Sequence, residues 1–347
     1  MTCSEFDLIR RFFTEQSIQR ADVSLGIGDD AALLLPPAGS LLAVSVDTLI
    51  AGIHFPLDTD ARAVGYKALA VNLSDLAAMG AEPAWVTLAL TLPAADTVWL
   101  TGFAQGFFEL ASKHGVQLVG GDTTRGPLSI SVQVTGFVPQ GQALMRSGAQ
   151  PGDGVFFTGT VGDAGLGLRL YQQRADAHTV TNSSANSTTN SAANSAENNI
   201  ANEDAATTLI QRLEFPTPRI STGLALRGCA SSAIDVSDGL AADLAHILTA
   251  SGMGADIRID QLPLSAAYRS LASADAWQAA VSAGDDYELC FTLPTGQEAA
   301  ALAELDITCT RIGEISASPG LRWRDARGQS LNLHNTGFDH FTTGKQQ

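Results

Sequence analysis

Hydrophobic and polar positions along the chain predict strands alternating with helices. Strand-like apolar runs lie at 41–46, 85–92, 116–119, 128–138, 155–160, 232–236, 255–259, 289–293, 308–312 and 321–323. Helical spacing of apolar residues occurs at 4–14, 61–79, 99–114, 163–174, 218–228, 241–250 and 297–305. Gly80 and Gly115 follow two of these stretches and should end the helices. The alternation is typical of an α/β (α+β) protein.

Turn residues at 146–153 interrupt this pattern, and 347 residues suffice for two domains. We therefore predict domains at 1–148 and 149–347. Residues 178–204 are almost entirely Asn, Ser, Thr and Ala. Because they offer so little apolar surface to bury, we predict a disordered insertion there. Its two Asn-x-Ser/Thr matches are chance matches unless the protein is secreted.

The net charge of −16 argues against a nucleic-acid partner, which requires a basic surface. Apolar runs of membrane-spanning length do not occur, and residues 1–5 do not begin like a signal peptide. The four cysteines are scattered without metal or redox spacing. A cytoplasmic enzyme without a membrane or nucleic-acid partner is therefore expected.

Candidate chemistry begins with Asp29 and Asp30, which follow two glycines and precede an apolar run. One such pair is usually an acidic surface turn. Further aspartates, however, stand at strand ends, turns or an apolar helix face beside Gly, Ser or Thr, at Asp47, Asp75, Asp122, Asp235 and Asp238. Carboxylates in such numbers favour a site for several Mg²⁺ ions and a polyphosphate.

Two further features fit phosphate chemistry. Asn72 and Asp75, three residues apart, should share one face of a helix, and their Leu, Ala and Val neighbours argue against an exposed polar stripe. Backbone N–H groups at Gly120 and Gly121 can cradle phosphate, and Arg125 or Arg146 can pair with it.

The common nucleotide and hydrolase signatures are missing. A Gly-Lys-Ser/Thr triplet does not occur, which excludes a P-loop, and a Gly-x-Ser-x-Gly elbow is absent too. Residues 26–31 superficially match a dinucleotide fingerprint, but two prolines follow the next apolar run where that motif requires a helix.

Six motifs, taken in order, add a resemblance. They are Gly-Ile-Gly-Asp-Asp at 26–30, Asp-Thr-Leu at 47–49, the stretch 70–81, Gly-Gly-Asp-Thr-Thr-Arg-Gly-Pro at 120–127, Arg-Ser-Gly-Ala at 146–149 and Asp-Val-Ser-Asp-Gly-Leu at 235–240. Together they resemble the thiamine-monophosphate kinase family of the AIR synthetase-like superfamily, from about Glu5 to Phe341.

The resemblance implies direct transfer of the ATP γ-phosphate onto thiamine monophosphate, with ATP as co-substrate and several Mg²⁺ ions. It implies two α/β domains, the first pairing its mixed sheet with that of a partner in a homodimer. The implied Mg²⁺ ligands are Asp30, Ser45, Val46, Asp47, Asp75, Asp122, Asp235 and Asp238. The implied ATP contacts are Gly121, Asp122, Arg146 and Ser237, and the implied substrate contacts are His54, Asp285 and Phe338. A nucleophilic catalytic residue is not implied, and Arg146 would stabilise charge together with Mg²⁺.

Three positions depart from the family pattern. Val46 lacks a hydroxyl, so only its carbonyl oxygen can bind a metal ion. Asp285 replaces the usual Glu and is one methylene shorter, and Phe338 can stack on a cation but has no hydroxyl to donate. The alternatives are that Phe338 only packs the C-terminus and that His54 is a loop histidine without a ligand.

Two other functions are compatible with parts of the pattern. One is another ATP-dependent reaction of the superfamily, such as a cyclo-ligase or selenophosphate synthesis, although Cys3 lacks a glycine-rich loop around it. The other is a degenerate, non-catalytic metal-binding module, which would have lost a ligand; the acids of the pattern are all present.

Overall fold

The computed structural model describes residues 4–14, 18–181, 194–273, 276–334 and 337. The helices are α1 (Glu5–Ile9), α2 (Ala61–Ala78), α3 (Thr97–His114), α4 (Asp163–Thr181), α5 (Asn194–Glu214), α6 (Ile220–Ala225), α7 (Leu240–Ser251), α8 (Ala266–Leu271), α9 (Trp277–Ser282) and α10 (Glu298–Ala303). The strands are β1 (Val23–Leu25), β2 (Leu33–Leu34), β3 (Ser40–Ile50), β4 (Glu82–Leu92), β5 (Gln117–Arg125), β6 (Ser129–Pro139), β7 (Gly154–Thr158), β8 (Ser232–Val236), β9 (Gly254–Arg258), β10 (Glu288–Leu293), β11 (Cys309–Ser316), β12 (Gly320–Arg324) and β13 (Ser330–Leu331). A π-helical turn, Arg10–Thr14, continues α1, and a 3-10 turn covers Ile259–Gln261.

The chain divides into two compact units, and the α/β fold class is confirmed. Unit 1 comprises residues 1–145, 217–229 and 304–306, and unit 2 comprises 146–216, 230–303 and 307–347. The division falls between Met145 and Arg146 rather than after Gly148. Unit 1 also takes in α6 from the second half of the chain, which the turn residues at 146–153 did not indicate.

Unit 1 is built on a mixed four-stranded sheet in the order β3-β6-β4-β5. β6 pairs antiparallel with β3 and β4, and β5 runs parallel to β4. Helix α2 packs against β3, β6, α3 and α6. Since most of its side chains are buried, α2 is a core helix rather than an amphipathic cover.

The ends of the unit 1 helices follow from their capping chemistry. Ser4 caps α1 in a capping box with Asp7, and the carboxylates of Asp60 and Asp96 accept N–H groups from the first turns of α2 and α3. Gly115 ends α3 with φ 63°, and Gly80 with φ 61° follows the C-cap of α2. Both predicted glycine stops are confirmed.

Unit 2 is built on a mixed seven-stranded sheet in the order β13-β12-β9-β11-β7-β10-β8. β9 and β12 are parallel neighbours, and the remaining pairs are antiparallel. Its main core joins apolar side chains from several strands of the sheet and from α7, such as Ile234 of β8, Ile257 of β9 and Leu244 of α7.

Three expectations need correction. β3 extends to Ile50, so Asp47 lies within the strand and not at its end. β5 extends to Arg125, so the two glycines at 120–121 lie in a strand and not in the loop after it. Residues 178–181 and 194–204 belong to α4 and α5, so the expectation of disorder is wrong for both ends of the Asn/Ser-rich segment; its middle, 182–193, lies outside the described residues.

Candidate active site

A cavity of about 640 Å³ in unit 1 brings two of the sequence motifs together. Asp30 with the turn before it lies on one side of this cavity, and Asp122 with the preceding glycines lies on another. The apolar part of its lining includes Phe6 and Phe13 from the N-terminal helical segment. Unit 1 therefore contains a pocket that is lined by both apolar side chains and carboxylates.

An irregularity in β5 shapes this wall. Val86 of β4 pairs with Leu118 of β5, but the next residue, Thr87, pairs with Gly120. Val119 is therefore an extra residue that forms a bulge in β5 just before the glycines. Gly121 has φ 152°, and a Cβ there would overlap the Leu88 carbonyl oxygen. The glycine is thus required for the close approach of β4 to β5 beside Asp122.

A second polar group links β3 to α2. The Ser45 hydroxyl donates to the Asp75 carboxylate at 2.5 Å, and the amide N–H of Asp47 donates to the Asn72 side chain at 3.0 Å. Asn72 and Asp75 therefore share one face of α2, as predicted. Because side chains alternate along a strand, that of Val46 faces the opposite side, where it is 61% exposed.

The acids of unit 1 are spread along the sheet. Asp47 pairs with Val132, which pairs with Leu88, which pairs with Gly121, so one row crosses all four strands. Three strand spacings separate its ends by about 14 Å. Within the described residues, no three His, Cys, Asp or Glu side chains are close enough to hold a metal ion by themselves. A Mg²⁺ ion here needs further oxygen ligands from water or phosphate, which is how it is usually bound.

His54 lies in the turn that follows β3. Its Nδ1 accepts the amide N–H of Ile50 at 3.0 Å, and its own amide N–H donates to the Ile50 carbonyl. Since Nδ1 is an acceptor, the neutral imidazole carries its proton on Nε2. His54 is therefore oriented as a donor by the backbone of its own turn.

In unit 2 the segment after β8 holds the second group of acids. The Asp243 carboxylate in α7 accepts the amide N–H groups of Ser237 and Asp238 at 3.1 and 3.0 Å. Burial raises the pKa of Asp243 to about 7, although these N–H donors act in the opposite direction. The loop that carries Ser237 and Asp238, just after Asp235 in β8, is thus held by the buried Asp243 carboxyl group.

The segment 284–287 runs beside this loop. The amide N–H of Asp285 donates to the Ser237 carbonyl and that of Tyr287 to the Val236 carbonyl, both at 2.8 Å. Asp286 is buried between them and accepts the amide N–H groups of Gly162 and Ala164. Its pKa is raised well above the usual range, mainly by burial.

Comparison with known proteins identifies the family. A family model described as "AIR synthase related protein, N-terminal domain" matches residues 28–138. The thiamine-monophosphate kinase of Salmonella typhimurium is 48% identical to this chain and is aligned over 99% of it and 100% of its own length. The chain belongs to the thiamine-monophosphate kinase family.

Solved structures agree with this membership. Thiamine-monophosphate kinase from Stenotrophomonas maltophilia K279a matches with a TM-score of 0.78 at 48% identity, over 90% of this chain and 93% of that one. AaThiL complexed with AMPPCP and TMP matches with a TM-score of 0.71 at 28% identity, over 92% of this chain and 93% of that one. The resemblance drawn from the six motifs is confirmed. Membership of the thiamine-monophosphate kinase family is therefore preferred to the cyclo-ligase and selenophosphate alternatives.

For this thiamine-monophosphate kinase family member, the predicted site residues fall into groups within each unit. Unit 1 groups Asp30 with Gly121 and Asp122 around the cavity, and Ser45 with Asp75 at the β3–α2 contact. Arg146 is exposed in unit 2, where its carbonyl accepts from the Ser251 hydroxyl. Phe338 lies outside the described residues; Gly337, which precedes it in sequence, lies against the Asp238 carbonyl.

Sequence reasoning missed two residues of unit 2. Asp243 could have been found as an acidic residue in the first turn of a helix that follows a Ser-Asp-Gly loop, a position that favours carboxylates. Tyr287 ends the stretch 283–287 that resembles a family pattern, but its hydroxyl contact with Asp285 could not be predicted, because the contact depends on an unusual backbone conformation at both residues.

Proposed function

We propose that the chain acts in the cytoplasm, where it transfers the γ-phosphate of ATP to thiamine monophosphate and yields thiamine diphosphate and ADP. The observation that carries the proposal is the 48% identity to a thiamine-monophosphate kinase over 99% of the chain. A shared fold alone does not select one reaction. The complex of AaThiL with AMPPCP, an ATP analogue, and TMP supports the same pair of substrates.

The cavity of unit 1 suits ATP in size and lining. Its volume of about 640 Å³ lies in the range of small-molecule sites. Phe6 and Phe13 offer an apolar wall to the adenine, while the backbone beside Gly121 offers N–H groups to phosphate. Asp30 and Asp122 bring negative charge to the same cavity, which disfavours a bare polyphosphate and favours one that carries cations.

The donor set fits Mg²⁺. In unit 1 it consists of Asp30, Ser45, the Val46 carbonyl, Asp47, Asp75 and Asp122, and in unit 2 of Asp235 and Asp238. These groups offer only oxygen, which Mg²⁺ prefers, and the contact of Ser45 with Asp75 shows a hydroxyl and a carboxylate already adjacent. Bound by these residues, Mg²⁺ would neutralise phosphate charge during the transfer.

The chain's own residues bind and align the two substrates. Arg146 pairs bidentately with phosphate, and Ser237 contacts ATP from the loop held by Asp243. The Nε2–H of His54 donates to thiamine monophosphate, and the Asp285 carboxylate attracts its positive charge. Phe338 remains the predicted aromatic partner of the thiazolium ring.

Transfer is direct in this proposal. A phosphate oxygen of thiamine monophosphate attacks the γ-phosphorus, the bond from that phosphorus to the β–γ bridging oxygen breaks, and ADP leaves. The acceptor oxygen is already anionic at neutral pH, so activation by a base is unnecessary. Alignment and charge stabilisation are then the main contributions of the protein.

One assay tests the reaction. Purified protein with ATP, MgCl₂ and thiamine monophosphate should form thiamine diphosphate and ADP in equal amounts, and EDTA should stop it. The Arg146→Lys variant keeps the charge but loses the fork, so it should turn over at least about tenfold more slowly. Stable protein label from γ-labelled ATP without acceptor would contradict direct transfer, and absence of thiamine diphosphate would contradict the function.

We also propose a homodimer through the sheet of unit 1. Alternate residues of the edge strand β3 present apolar side chains to solvent, with Val44 57% and Val46 61% exposed. Leu42 and Ile50 lie on the same face of the strand and are exposed as well. An apolar strip of this kind marks an interaction surface. Sedimentation should give twice the monomer mass for the wild type and a monomer for Val44→Asp; a monomeric wild type would refute the dimer.

A further inference from the structure

Asp285 and Tyr287 share an unusual backbone conformation. Their φ angles are 69° and 49°, and they are the non-glycine residues with positive φ in the described part of the chain. A large aromatic residue rarely adopts this conformation, because its Cβ crowds the backbone. The surrounding structure must hold both residues in place.

Three sets of contacts do so. The amide N–H groups of both residues bond to the loop that carries Ser237, at 2.8 Å each. Between them, the buried Asp286 carboxyl group accepts the amide N–H of Gly162 at 2.7 Å at the start of α4. Gly284 passes so close to the Ser237 carbonyl that a Cβ would overlap its oxygen. The segment is therefore tied to its neighbours on both sides.

The consequence is a side-chain contact two residues apart. The Tyr287 hydroxyl lies 3.1 Å from Oδ1 of Asp285, and the Tyr287 ring is buried while Asp285 is only half-buried. A phenol at this position donates to the carboxylate. This hydrogen bond restrains the orientation of the Asp285 carboxylate.

We propose that Tyr287 is a positioning residue that orients the Asp285 carboxylate toward the positively charged thiamine moiety of the acceptor substrate. This inference rests on the proposed function, which places Asp285 at the acceptor. A short Asp side chain benefits from such an anchor, because a preformed orientation reduces the entropy lost on binding. Tyr287 itself need not touch the substrate.

The test separates this role from a structural one. Tyr287→Phe removes only the hydroxyl and should raise KM for thiamine monophosphate by roughly two- to tenfold, because binding must then order a carboxylate that the wild type already holds. KM for ATP and kcat should stay close to wild type, and the melting temperature should fall only slightly, by the loss of one hydrogen bond. The matched control is Tyr268→Phe, which removes an equally buried hydroxyl that donates to the Ala276 carbonyl at 3.0 Å and should change neither KM.

A double-mutant cycle sharpens the test. Asn tolerates left-handed backbone, so Asp285→Asn should fold and should itself raise KM for thiamine monophosphate. In that background Tyr287→Phe should change KM by less than about twofold, because the charge that it oriented is gone. The Asp285→Asn variant also serves if Tyr287→Phe fails to fold, since a wild-type KM for it would overturn the inference.

The outcomes are distinguishable from failure of the function. Wild type that forms no thiamine diphosphate overturns the proposed function and this inference with it. Active wild type with an unchanged KM in Tyr287→Phe overturns the inference alone. Equal rises in both KM values, or additive effects in the cycle, show a structural role for Tyr287 and overturn it as well.

Discussion

Substitution of the two adjacent glycines of β5 should have opposite effects. Gly121 has φ 152°, and a Cβ added there would lie 2.7 Å from the Leu88 carbonyl carbon and overlap its oxygen. The obstacle is the backbone of the paired strand β4, which cannot rotate away. Nothing lies within 4 Å of a Cβ added at Gly120, which also lines the cavity.

The magnitude follows from two terms. Holding Ala in a backbone conformation that favours glycine costs about 1–3 kcal/mol, and overpacking against β4 costs about 1–3 kcal/mol more. For a unit of this size each kcal/mol lowers the melting temperature by about 2–4 °C. Gly121→Ala should therefore melt roughly 5–20 °C below wild type.

Thermal unfolding and ATP titration check this pair. Gly120→Ala should melt at or slightly above the wild-type temperature, because Ala restricts the unfolded chain more than Gly does. Its methyl group enters the cavity, so its affinity for ATP should fall even though its stability does not. If Gly121→Ala melts within about 2 °C of wild type, the close approach of Leu88 is not a real constraint.

Three further predictions concern stability and length. Burial lowers the pKa of His114 to about 4 from its ordinary 6.5, so the unfolded chain binds a proton before the folded chain does as the pH falls. The stability present above pH 6.5 is therefore lost as the pH falls toward 4. His114→Gln should flatten this loss in melting curves recorded at different pH values. Arg212 pairs at 2.6 Å with the fully buried Glu288, so Arg212→Met should cost about 3–5 kcal/mol in urea unfolding, and the added Glu288→Gln should restore most of it. Residues 182–193 contain only Asn, Ser, Thr and Ala, so a short Gly/Ser linker in their place should leave melting and turnover unchanged; a large loss of either would contradict this.

Much of the fold followed from hydrophobic pattern, and two of the places where the pattern failed lie at the candidate site. β3 was expected to stop before Asp47 because polar residues break the alternation there. The structure shows that Ser45 and Asp47 face α2, where polar partners replace the usual apolar contact. At this point a tertiary contact with α2 overrides the local pattern.

The glycines at 120–121 misled in a related way. Glycine pairs favour loops by propensity, but here the missing Cβ of Gly121 allows the Leu88 backbone to approach, so the strand continues. Composition along the chain does not reveal such a long-range contact. The contacts of Tyr287 and Asp243 are local in sequence, but they depend on backbone conformations at 285–287 and 237–239 that hydrophobic pattern does not reveal.

The late position of α6 in the chain has a consequence for biosynthesis. Gly223 of α6 packs so tightly on α2 that a Cβ would overlap the Ala77 carbonyl oxygen, and Leu226 beside it is fully buried in unit 1. A ribosome completes residues 146–216 before it makes this helix. Until α6 is made, the nascent first 145 residues therefore expose the side of α2 that α6 later covers, and transiently exposed apolar surface of this kind promotes aggregation during synthesis.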